Sequence, residues 1–411
     1  MSTTTVGTAL TTFLLSNAAL LKAAQYAQLA VPSHQPIVPI LENLLLDITS
    51  ESGQYGKFSY LRVTGYDLEH RFTSRPLLLE RRDTDAAALC VPGKQLIELL
   101  KNLEDQPLTL KMLDYDKPDP SLHINAALTH TLLQSGTGSA RYEIAGEKAG
   151  DYPAEVALGF VGTTLSVPGH ILLAGLSATL PVTSTDELRP AMCGVLVIVT
   201  SNKLEFAATD GHRLVVMRKQ DQHELKGTIN SFILPRKACE ILLKLVSQRE
   251  VVEVIVGATQ ALFKLEKGEF QVRLIAEQYP DFHNVIPAVN PNVLIVHRTE
   301  LLASVKRLLL FSNKTTYQVK FDLQEASDCR IIAEDLDFQN KATETIPGTY
   351  TGQDLDIGFN ARFLRYFLEK MPCQSVKIGM SLPSRAAVLQ SADADDGMLC
   401  LLMPVMLNNY L

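Results

Sequence analysis

Asp210, His212 and Arg213 stand close together, and a carboxylate, an imidazole and a guanidinium at this spacing could support acid–base chemistry. They flank Gly211 between two strand-like segments, which is typical of a tight turn whose aspartate bonds the backbone. Neither a serine or cysteine nucleophile motif nor a metal-ligand spacing accompanies them. We therefore predict a turn here, in a protein that is not an enzyme, with no catalytic residue, metal or cofactor.

The aspartate of this turn has counterparts elsewhere in the chain. The related segments are "VTGYDLEHR" at 64–72, "AATDGHRLV" at 207–215 and "IAEDLDFQN" at 332–340. They place Asp67, Asp210 and Asp335 at intervals of 143 and then 125 residues. The positions equivalent to His212 hold no histidine in the other two segments, which again disfavours catalysis.

A second landmark repeats with the same two intervals. Pro92, Pro235 and Asn360 each open a helix-like segment and again differ by 143 and 125 residues. Two independent landmarks with shared spacing indicate tandem copies of one domain. The predicted copies span 1–158, 159–288 and 289–411, and each is close to the usual size of a domain.

Within each copy the patterns predict helix, strands, helix and strands. The helical segments are 16–33, 92–104, 167–189, 234–247, 297–314 and 359–371. In the central copy, 194–200, 203–209 and 212–218 have strand patterns. Two helices against antiparallel sheet, repeated three times, predict an α+β fold. Two polar insertions in the first copy, near 50–58 and 114–122, are predicted to be surface loops.

Composition restricts the location and the cysteine chemistry. The chain has 411 residues, of which 46% are hydrophobic and 20% charged, as in ordinary globular proteins. Six scattered cysteines form no Cys-x-x-Cys pair, which argues against a zinc site or a disulfide framework. No apolar run reaches the roughly 18 residues of a membrane span. We expect a cytoplasmic protein.

The net charge of -7 disfavours nucleic acid as a partner, but its distribution does not. The six predicted helical segments together carry +7, and the remainder carries -14. If these helices share one surface, that surface attracts a polyanion while the rest of the protein repels it. The alternative is that these charges are solvated or complement helix dipoles.

Several motifs, in order along the chain, resemble those of the bacterial sliding clamp, the β subunit of DNA polymerase III. They are "PIVPILENLLLDI" at 36–48, "LPVTSTDELRPAMCGVLV" at 180–197, "FAATDGHRLVVMR" at 206–218, "LPRKACEILLKLV" at 234–246, "EQYPDFHNVIP" at 277–287 and "LLMPVML" at 401–407. The resemblance implies a DNA polymerase processivity factor. Two chains of three domains would form a head-to-tail homodimer, a six-domain ring that encircles duplex DNA without base specificity. The alternative is a clamp-like peptide-binding hub that does not encircle DNA.

The resemblance also implies residues that face the DNA phosphates. Gln35, Arg189 and Lys237 match family positions. Helix placement adds Lys22, Lys94, Arg236, Lys244, Lys306, Arg307, Lys314, Arg362 and Arg365.

A second implied site is a pocket for short linear peptides. The matching positions are Met192, Thr209, Gly211, His212, Arg213, Leu214, Pro280, Asn284, Val285, Leu401, Met403 and Pro404. The implied partners are the polymerase III catalytic subunit, the clamp loader complex, other polymerases, mismatch repair proteins and ligase. Plain strand core is the alternative interpretation of Leu401 and Met403.

A third implied site is the dimer interface, with Tyr152 in the first domain and Leu310 with Phe311 in the third. Two positions depart from the family pattern: Asn284 replaces a residue that is often basic, and Met406 stands where arginine is common. The chain also continues with "NNYL" at 408–411, which we expect to lie near the pocket and modulate peptide access.

Overall fold

A computed structural model of the chain describes residues 10–53, 56–80, 86–117, 119–129, 137–154, 163–200, 202–220, 225–226, 231–325, 327–394 and 396–407. The insertions near 50–58 and 114–122 are therefore described in large part. The C-terminal segment 408–411, with its expected role at the pocket, lies outside the described residues.

The first repeat alternates strands and two helices. Its elements are β1 Leu10–Ser16, α1 Asn17–Gln28, β2 Asn43–Gly53, β3 Gly56–Tyr66, β4 His70–Ser74, β5 Leu77–Leu78, β6 Ala87–Pro92, α2 Gly93–Lys101, β7 Pro107–Leu113, β8 Ser121–Thr129, β9 Thr137–Ala145 and β10 Glu147–Lys148.

The second repeat has the same order. Its elements are β11 Thr163–Pro168, α3 Gly169–Thr179, β12 Gly194–Thr200, β13 Lys203–Thr209, β14 Arg213–Gln220, β15 Leu225–Lys226, β16 Ser231–Pro235, α4 Arg236–Leu245, β17 Val251–Val256, β18 Gln260–Leu265 and β19 Gly268–Arg273.

The third repeat completes the series. Its elements are β20 Asn292–His297, α5 Arg298–Leu308, β21 Gln318–Leu323, β22 Cys329–Asp335, β23 Asn340–Ile346, β24 Gly348–Thr351, β25 Leu355–Asn360, α6 Ala361–Lys370, β26 Ser375–Met380, β27 Ala387–Ser391 and β28 Met398–Leu402. The predicted α+β class, with two helices and antiparallel sheets repeated three times, is confirmed.

Both sequence landmarks occupy equivalent structural positions in every repeat. Asp67, Asp210 and Asp335 each lie at the turn that follows the second strand of a sheet, and each carboxylate accepts a backbone N–H two residues later. Pro92, Pro235 and Asn360 are the last residues of β6, β16 and β25, directly before α2, α4 and α6. The repeat read from the sequence is therefore a repeat of structure.

The strands form four antiparallel sheets, two of which are joined pairs of four-stranded sheets. The eleven-stranded sheet contains β6-β2-β3-β4 and β19-β18-β17-β11, joined where β4 pairs with β19. The nine-stranded sheet contains β16-β12-β13-β14 and β28-β27-β26-β20, joined where β14 pairs with β28. The other two sheets, β1-β7-β8-β9 and β23-β22-β21-β25, have four strands each.

The helices form because their apolar residues recur at helical spacing, and a side chain caps the first turn of α1 and of α6. In α2 the buried residues are Leu96, Ile97 and Leu100, whereas Lys94 and Glu98 face solvent. The Asn360 side chain accepts hydrogen bonds from the backbone N–H groups of Arg362 and Phe363 and thereby caps α6.

By its internal contacts the chain divides into two compact units. One unit consists of residues 1–169, 225–227 and 244–273, and the other of residues 170–224, 228–243 and 274–411. The first unit contains the join between β4 and β19, and the second contains the join between β14 and β28. Each unit therefore includes strands of two repeats, which are paired along the join.

The structure corrects the prediction of a surface loop near 50–58. The long strands β2 and β3 continue through most of this segment, with Ser50 opposite Ser59 and Glu51 opposite Phe58. Ladder pairing satisfies the backbone groups of this hairpin without requiring apolar side chains, so a polar sequence can form it. Residues 114–117 do form a turn, and β8 begins only at Ser121. None of the helices in the described part of the chain has the length and apolar content that a bilayer crossing requires.

Candidate functional site

The Asp210 turn has the geometry that the sequence predicts. One carboxylate oxygen of Asp210 accepts the backbone N–H groups of His212 and Arg213, both at 3.0 Å. Gly211 has a φ of 87°, a left-handed conformation that glycine adopts without strain. The Gly211 N–H donates to the Thr209 hydroxyl at 3.1 Å, and this hydroxyl donates to the Arg213 carbonyl at 2.8 Å. These groups are therefore occupied in holding a turn.

Arg213 is fixed by contacts on several sides. Its Nε donates to Asp210 at 2.9 Å and its Nη2 to the Pro181 carbonyl at 3.0 Å. The guanidinium lies 4.2 Å from the ring centroid of Phe363 and 5.6 Å from that of Tyr366. Arg213 thus stiffens the turn and presents a rigid edge.

Strand pairing places the apolar pocket residues side by side. Leu214 on β14 lies opposite Leu401 on β28, and the Met403 N–H donates to the His212 carbonyl at 2.9 Å. Leu214 and Leu401 are 1% and 3% exposed, within a cluster that includes Tyr279. Both leucines thus form the floor of this region, as the core interpretation of Leu401 requires.

The accessible residues surround this floor. Val285 is 57% exposed and Met403 is 39% exposed, so both leave apolar surface accessible at this edge. Met192 is buried, with its terminal methyl 3.8 Å from where a Cβ on Gly211 would lie. The remaining predicted positions at this edge, Pro280, Asn284, His212 and Pro404, are exposed or half-buried. All twelve predicted pocket residues belong to the second unit.

Tyr279 connects the floor to the turn. Its hydroxyl accepts the Thr209 backbone N–H at 3.1 Å, and burial raises the pKa of this phenol. Asn284 donates to the Asp281 carboxylate at 2.7 Å, which fixes the loop that carries Pro280 and Val285.

A buried ion network centred on Glu205 contacts the 277–287 loop through His283. The sequence alone did not predict this network. Glu205 is 3% exposed and accepts from Arg218 at 2.7 Å, while Lys203 Nζ lies 2.8 Å from the same oxygen. Burial favours a raised pKa for Glu205, but the hydrogen bonds from Lys203 and Arg218 outweigh it and lower the pKa. His283 Nε2 lies 3.2 Å from the other Glu205 oxygen, and its ring stacks on Phe282. Strand alternation predicts Glu205 to face solvent, so only the packing of the 277–287 loop over it reveals its role.

The residues predicted to face DNA differ in their local partners. Lys22, Gln35, Lys94, Lys244 and Arg189 are exposed. Lys237 is half-buried, and Arg189 lies 3.6 Å from Asp186. These side chains can reach a phosphate with little rearrangement.

The other predicted cations pair with neighbouring groups. Arg236 pairs with Glu240 at 3.2 Å, Arg307 pairs with both oxygens of Glu344 at 2.8 and 2.6 Å, and Lys306 and Arg365 share Glu369 at 2.9 Å. Lys314 donates to the Leu310 carbonyl, and Arg362 stacks on Tyr317 at 3.5 Å. Exposed pairs of this kind contribute little and exchange readily for a phosphate.

Charge remains concentrated on the helices with their observed bounds. Counting Lys and Arg against Asp and Glu over α1 to α6 gives +8, against -7 for the whole chain.

The predicted interface residues differ in their exposure. Tyr152 is 6% exposed and packs with Ile40, Leu41 and Tyr66 in the first unit, so little of it can meet a partner. Leu310 and Phe311 are 71% and 41% exposed, so the second unit offers both to a partner.

The cysteines form no disulfide. All six are free, and Cys193 alone among them is not buried. Within the described ranges, no three His, Cys, Asp or Glu side chains gather as a metal site would require.

Comparison with known proteins identifies a family. Two family models match: "DNA polymerase III beta subunit, central domain" over residues 172–281 and "DNA polymerase III beta subunit, C-terminal domain" over residues 283–406. Together they cover more than half of the chain.

Similar full-length proteins carry consistent names. The Beta sliding clamp of Synechococcus elongatus is 27% identical over 365 residues, which are 88% of this chain and 90% of that protein. The Beta sliding clamp of Synechocystis is 26% identical over 390 residues, which are 92% of this chain and 95% of that protein. A solved sliding clamp (DNA polymerase III subunit beta) from Pseudomonas aeruginosa, bound to griselimycin, superposes with a TM-score of 0.82 at 24% identity. That comparison covers 97% of this chain and all of the other, and it shows that the two share a fold.

Proposed function

The chain belongs to the family of bacterial sliding clamps, the DNA polymerase III β subunits, and we propose that it is a non-catalytic DNA polymerase processivity factor. In this role a homodimer closes around duplex DNA and tethers the replicative polymerase. The observation that carries the proposal is the match of two consecutive β-subunit domains, in the expected order, within a chain that aligns with clamps along nearly its whole length.

The free sheet edges support a head-to-tail dimer. By repeat position, β9 is equivalent to β19, and β23 is equivalent to β14. Inside the chain these strand types pair across repeats: β19 pairs with β4 of the preceding repeat, and β14 pairs with β28 of the following one. In the described residues, β9 and β23 end their sheets without such a partner. Pairing β23 of one copy with β9 of another would close both edges in the manner of the internal joins.

Leu310 and Phe311 support the same interface. Exposed apolar residues at the end of α5, near strand β23, are expensive to leave in water and suitable for burial between copies. Because α5 contacts β23, the apolar pair and the free edge would be covered by the same partner. We propose Leu310 and Phe311, with a smaller contribution from Tyr152, as interface residues.

The basic helices support DNA binding through phosphates alone. The twelve DNA-facing residues predicted above would neutralise the backbone without reading bases, which permits sliding. Lys22, Lys94 and Lys244, exposed and without an ion pair in the described chain, would contribute most directly.

The edge around Val285 and Met403 supports a peptide site. An apolar floor, exposed apolar edges and backbone fixed by the Asp210 turn suit a short motif with one or two apolar side chains. We propose this as the site for the polymerase III catalytic subunit and, in turn, the clamp loader complex, other polymerases, mismatch repair proteins and ligase.

Retention on circular DNA tests the function. We expect the protein, loaded by the clamp loader complex and ATP onto nicked circular plasmid, to co-elute with the plasmid in gel filtration. Cutting the plasmid once should release it, because a closed ring slides off an end. A protein that binds motif peptides but is not retained on circles would instead be the peptide-binding hub.

A further inference from the structure

The join between β4 and β19 contains a groove that repeats the backbone of the β14–β28 join but not its side chains. The Arg273 N–H donates to the Glu69 carbonyl at 2.8 Å, as the Met403 N–H does to His212 at 2.9 Å. Tyr66 pairs with Arg71 as Thr209 pairs with Leu214. The two joins are therefore equivalent in hydrogen bonding.

Cations replace the apolar floor at the first join. Arg71 occupies the position of Leu214, and Gln271 occupies that of Leu401. The groove here encloses a cavity of about 380 Å³, lined by Arg62, Arg71, Arg75, Lys264 and Glu269 among others. All of its lining residues belong to the first unit.

The internal counter-charge is also lost at the first join. At the second join Glu205 neutralises Arg218 at 2.7 Å. The equivalent positions in the first repeat are Arg62 and Arg75, so a cation replaces the carboxylate and faces the same cavity. Like charges in one cavity repel unless an anion lies between them.

The remaining charges leave this cavity electropositive. Within the described chain, Arg62, Arg71 and Arg75 form no ion pair, whereas Lys264 is paired with Glu253 at 2.8 Å. Arg71 Nη1 donates to the Pro153 carbonyl at 3.4 Å, but its Nε is buried with no hydrogen-bond acceptor in the described residues. The nearest strand neighbour of Arg62 is Asp47, whose pKa is raised by burial in spite of Arg62 and Arg71. Arg62 and Arg75 therefore have donors available for an external acceptor, whereas the buried Nε of Arg71 would need a side-chain shift to reach one.

The groove lies on the face of the sheet away from α1. A Cβ on Gly65 would meet the Ala27 carbonyl of α1, so Gly65 faces that helix, and strand alternation turns Arg62 to the opposite face. Arg62 therefore points away from α1, whereas Ser74 and Arg75 at the rim also line a smaller cavity beside Lys22 of that helix.

We propose that this groove binds an acidic peptide segment, whose carboxylates pair with Arg62, Arg71 and Arg75. Arginine forks match carboxylates in a bidentate manner. Among the described residues that line the cavity none is aromatic, so a nucleobase has no stacking surface, and the Glu269 carboxylate can accept a peptide N–H. The site is separate from the Val285 edge and does not depend on the proposed function.

A fluorescein-labelled hexaglutamate peptide, titrated against the full-length protein by anisotropy, tests this proposal. We expect saturable binding that weakens about tenfold in Arg62→Gln and in Arg75→Gln, the effect of losing one charge-assisted contact. Glu269→Gln should bind more tightly, because it removes the carboxylate of the lining. Arg385→Gln, which removes an exposed arginine of the second unit, should have no effect.

Three results would overturn the proposal. The first is absence of saturable binding, or equal weakening in Arg385→Gln, which would indicate non-specific attraction. The second is displacement of the probe by an apolar motif peptide, which would assign binding to the Val285 edge. The third is tighter, variant-sensitive binding of inorganic phosphate or a single-stranded oligonucleotide, which would replace the acidic peptide with a phosphate ligand.

Discussion

Removing the Leu310 side chain should weaken the dimer without harming the fold of the single chain. Leu310 is 71% exposed, so Leu310→Ala leaves no cavity inside the chain. Full burial of a leucine stabilises by about 1.5–3 kcal/mol, so covering the exposed part should contribute about 1–2 kcal/mol. A head-to-tail dimer has two identical interfaces, which doubles the loss to about 2–4 kcal/mol. The dimer Kd should then rise about 30-fold to 700-fold.

Light scattering over a dilution series measures this change. The chain has a mass of 45.2 kDa, so the closed dimer should appear near 90 kDa and dissociate at higher concentration in Leu310→Ala than in the native protein. Leu382→Ala is the matched control, because Leu382 is a 54% exposed leucine in a turn of the same unit. Equal dissociation of the two variants, with unchanged thermal midpoints, would refute the assignment of Leu310 to the interface.

Three further predictions concern the second unit and the thiols. Val285→Ser should weaken a fluorescent motif peptide about tenfold in an anisotropy titration, because it removes an exposed apolar edge, whereas Val289→Ser, at a 76% exposed position, should not. Glu205→Gln should lower the free energy of unfolding by roughly 2 kcal/mol at pH 7. The pKa of Glu205 in the folded protein lies below its ordinary value of 4.5. The Glu205 carboxylate therefore contributes fully to the free energy of unfolding above pH 4.5, and this contribution is lost as the pH falls through the folded-state pKa. In urea titrations, the difference in the free energy of unfolding between the native protein and Glu205→Gln should become smaller in acid. A difference that does not change with pH would contradict the proposed ion network. Iodoacetamide at pH 8.5 should modify only Cys193 in the folded protein, because the other five cysteines are buried, and it should modify all six in urea. Mass spectrometry counts the adducts, and more than one adduct on the folded protein would argue against this burial.

Local patterns predicted the elements with strong periodicity. The strands β12 and β13 have the predicted bounds and the helix α6 lies within the predicted segment 359–371, because alternating or helically spaced apolar residues fix the type of these elements. Strands with little burial escaped prediction. β23 is mostly exposed, and the outer part of the β2–β3 hairpin has a polar sequence, so neither shows the apolar alternation that marks a strand.

Long-range pairing could not be predicted from periodicity. His70 pairs with Val272, about 200 residues later, and nothing local in either strand specifies this neighbour. The buried carboxylate of Glu205 was missed for a similar reason, since its partner His283 comes from a distant loop. The pocket residues were found through the resemblance, and the structure brings them together, but their roles in binding remain predictions.

The two internal joins indicate how one repeated fold can carry different sites. Main-chain hydrogen bonds hold each join, and they do not depend on which side chains point outward. The side chains at a join can therefore differ between repeats: the buried Leu214 and Leu401 of the second join correspond to Arg71 and Gln271 in the first. This difference keeps the main-chain pairing but replaces an apolar lining with a charged one, which favours a charged ligand. A tandem fold of this kind can therefore diversify its partners join by join while its backbone pairing stays the same.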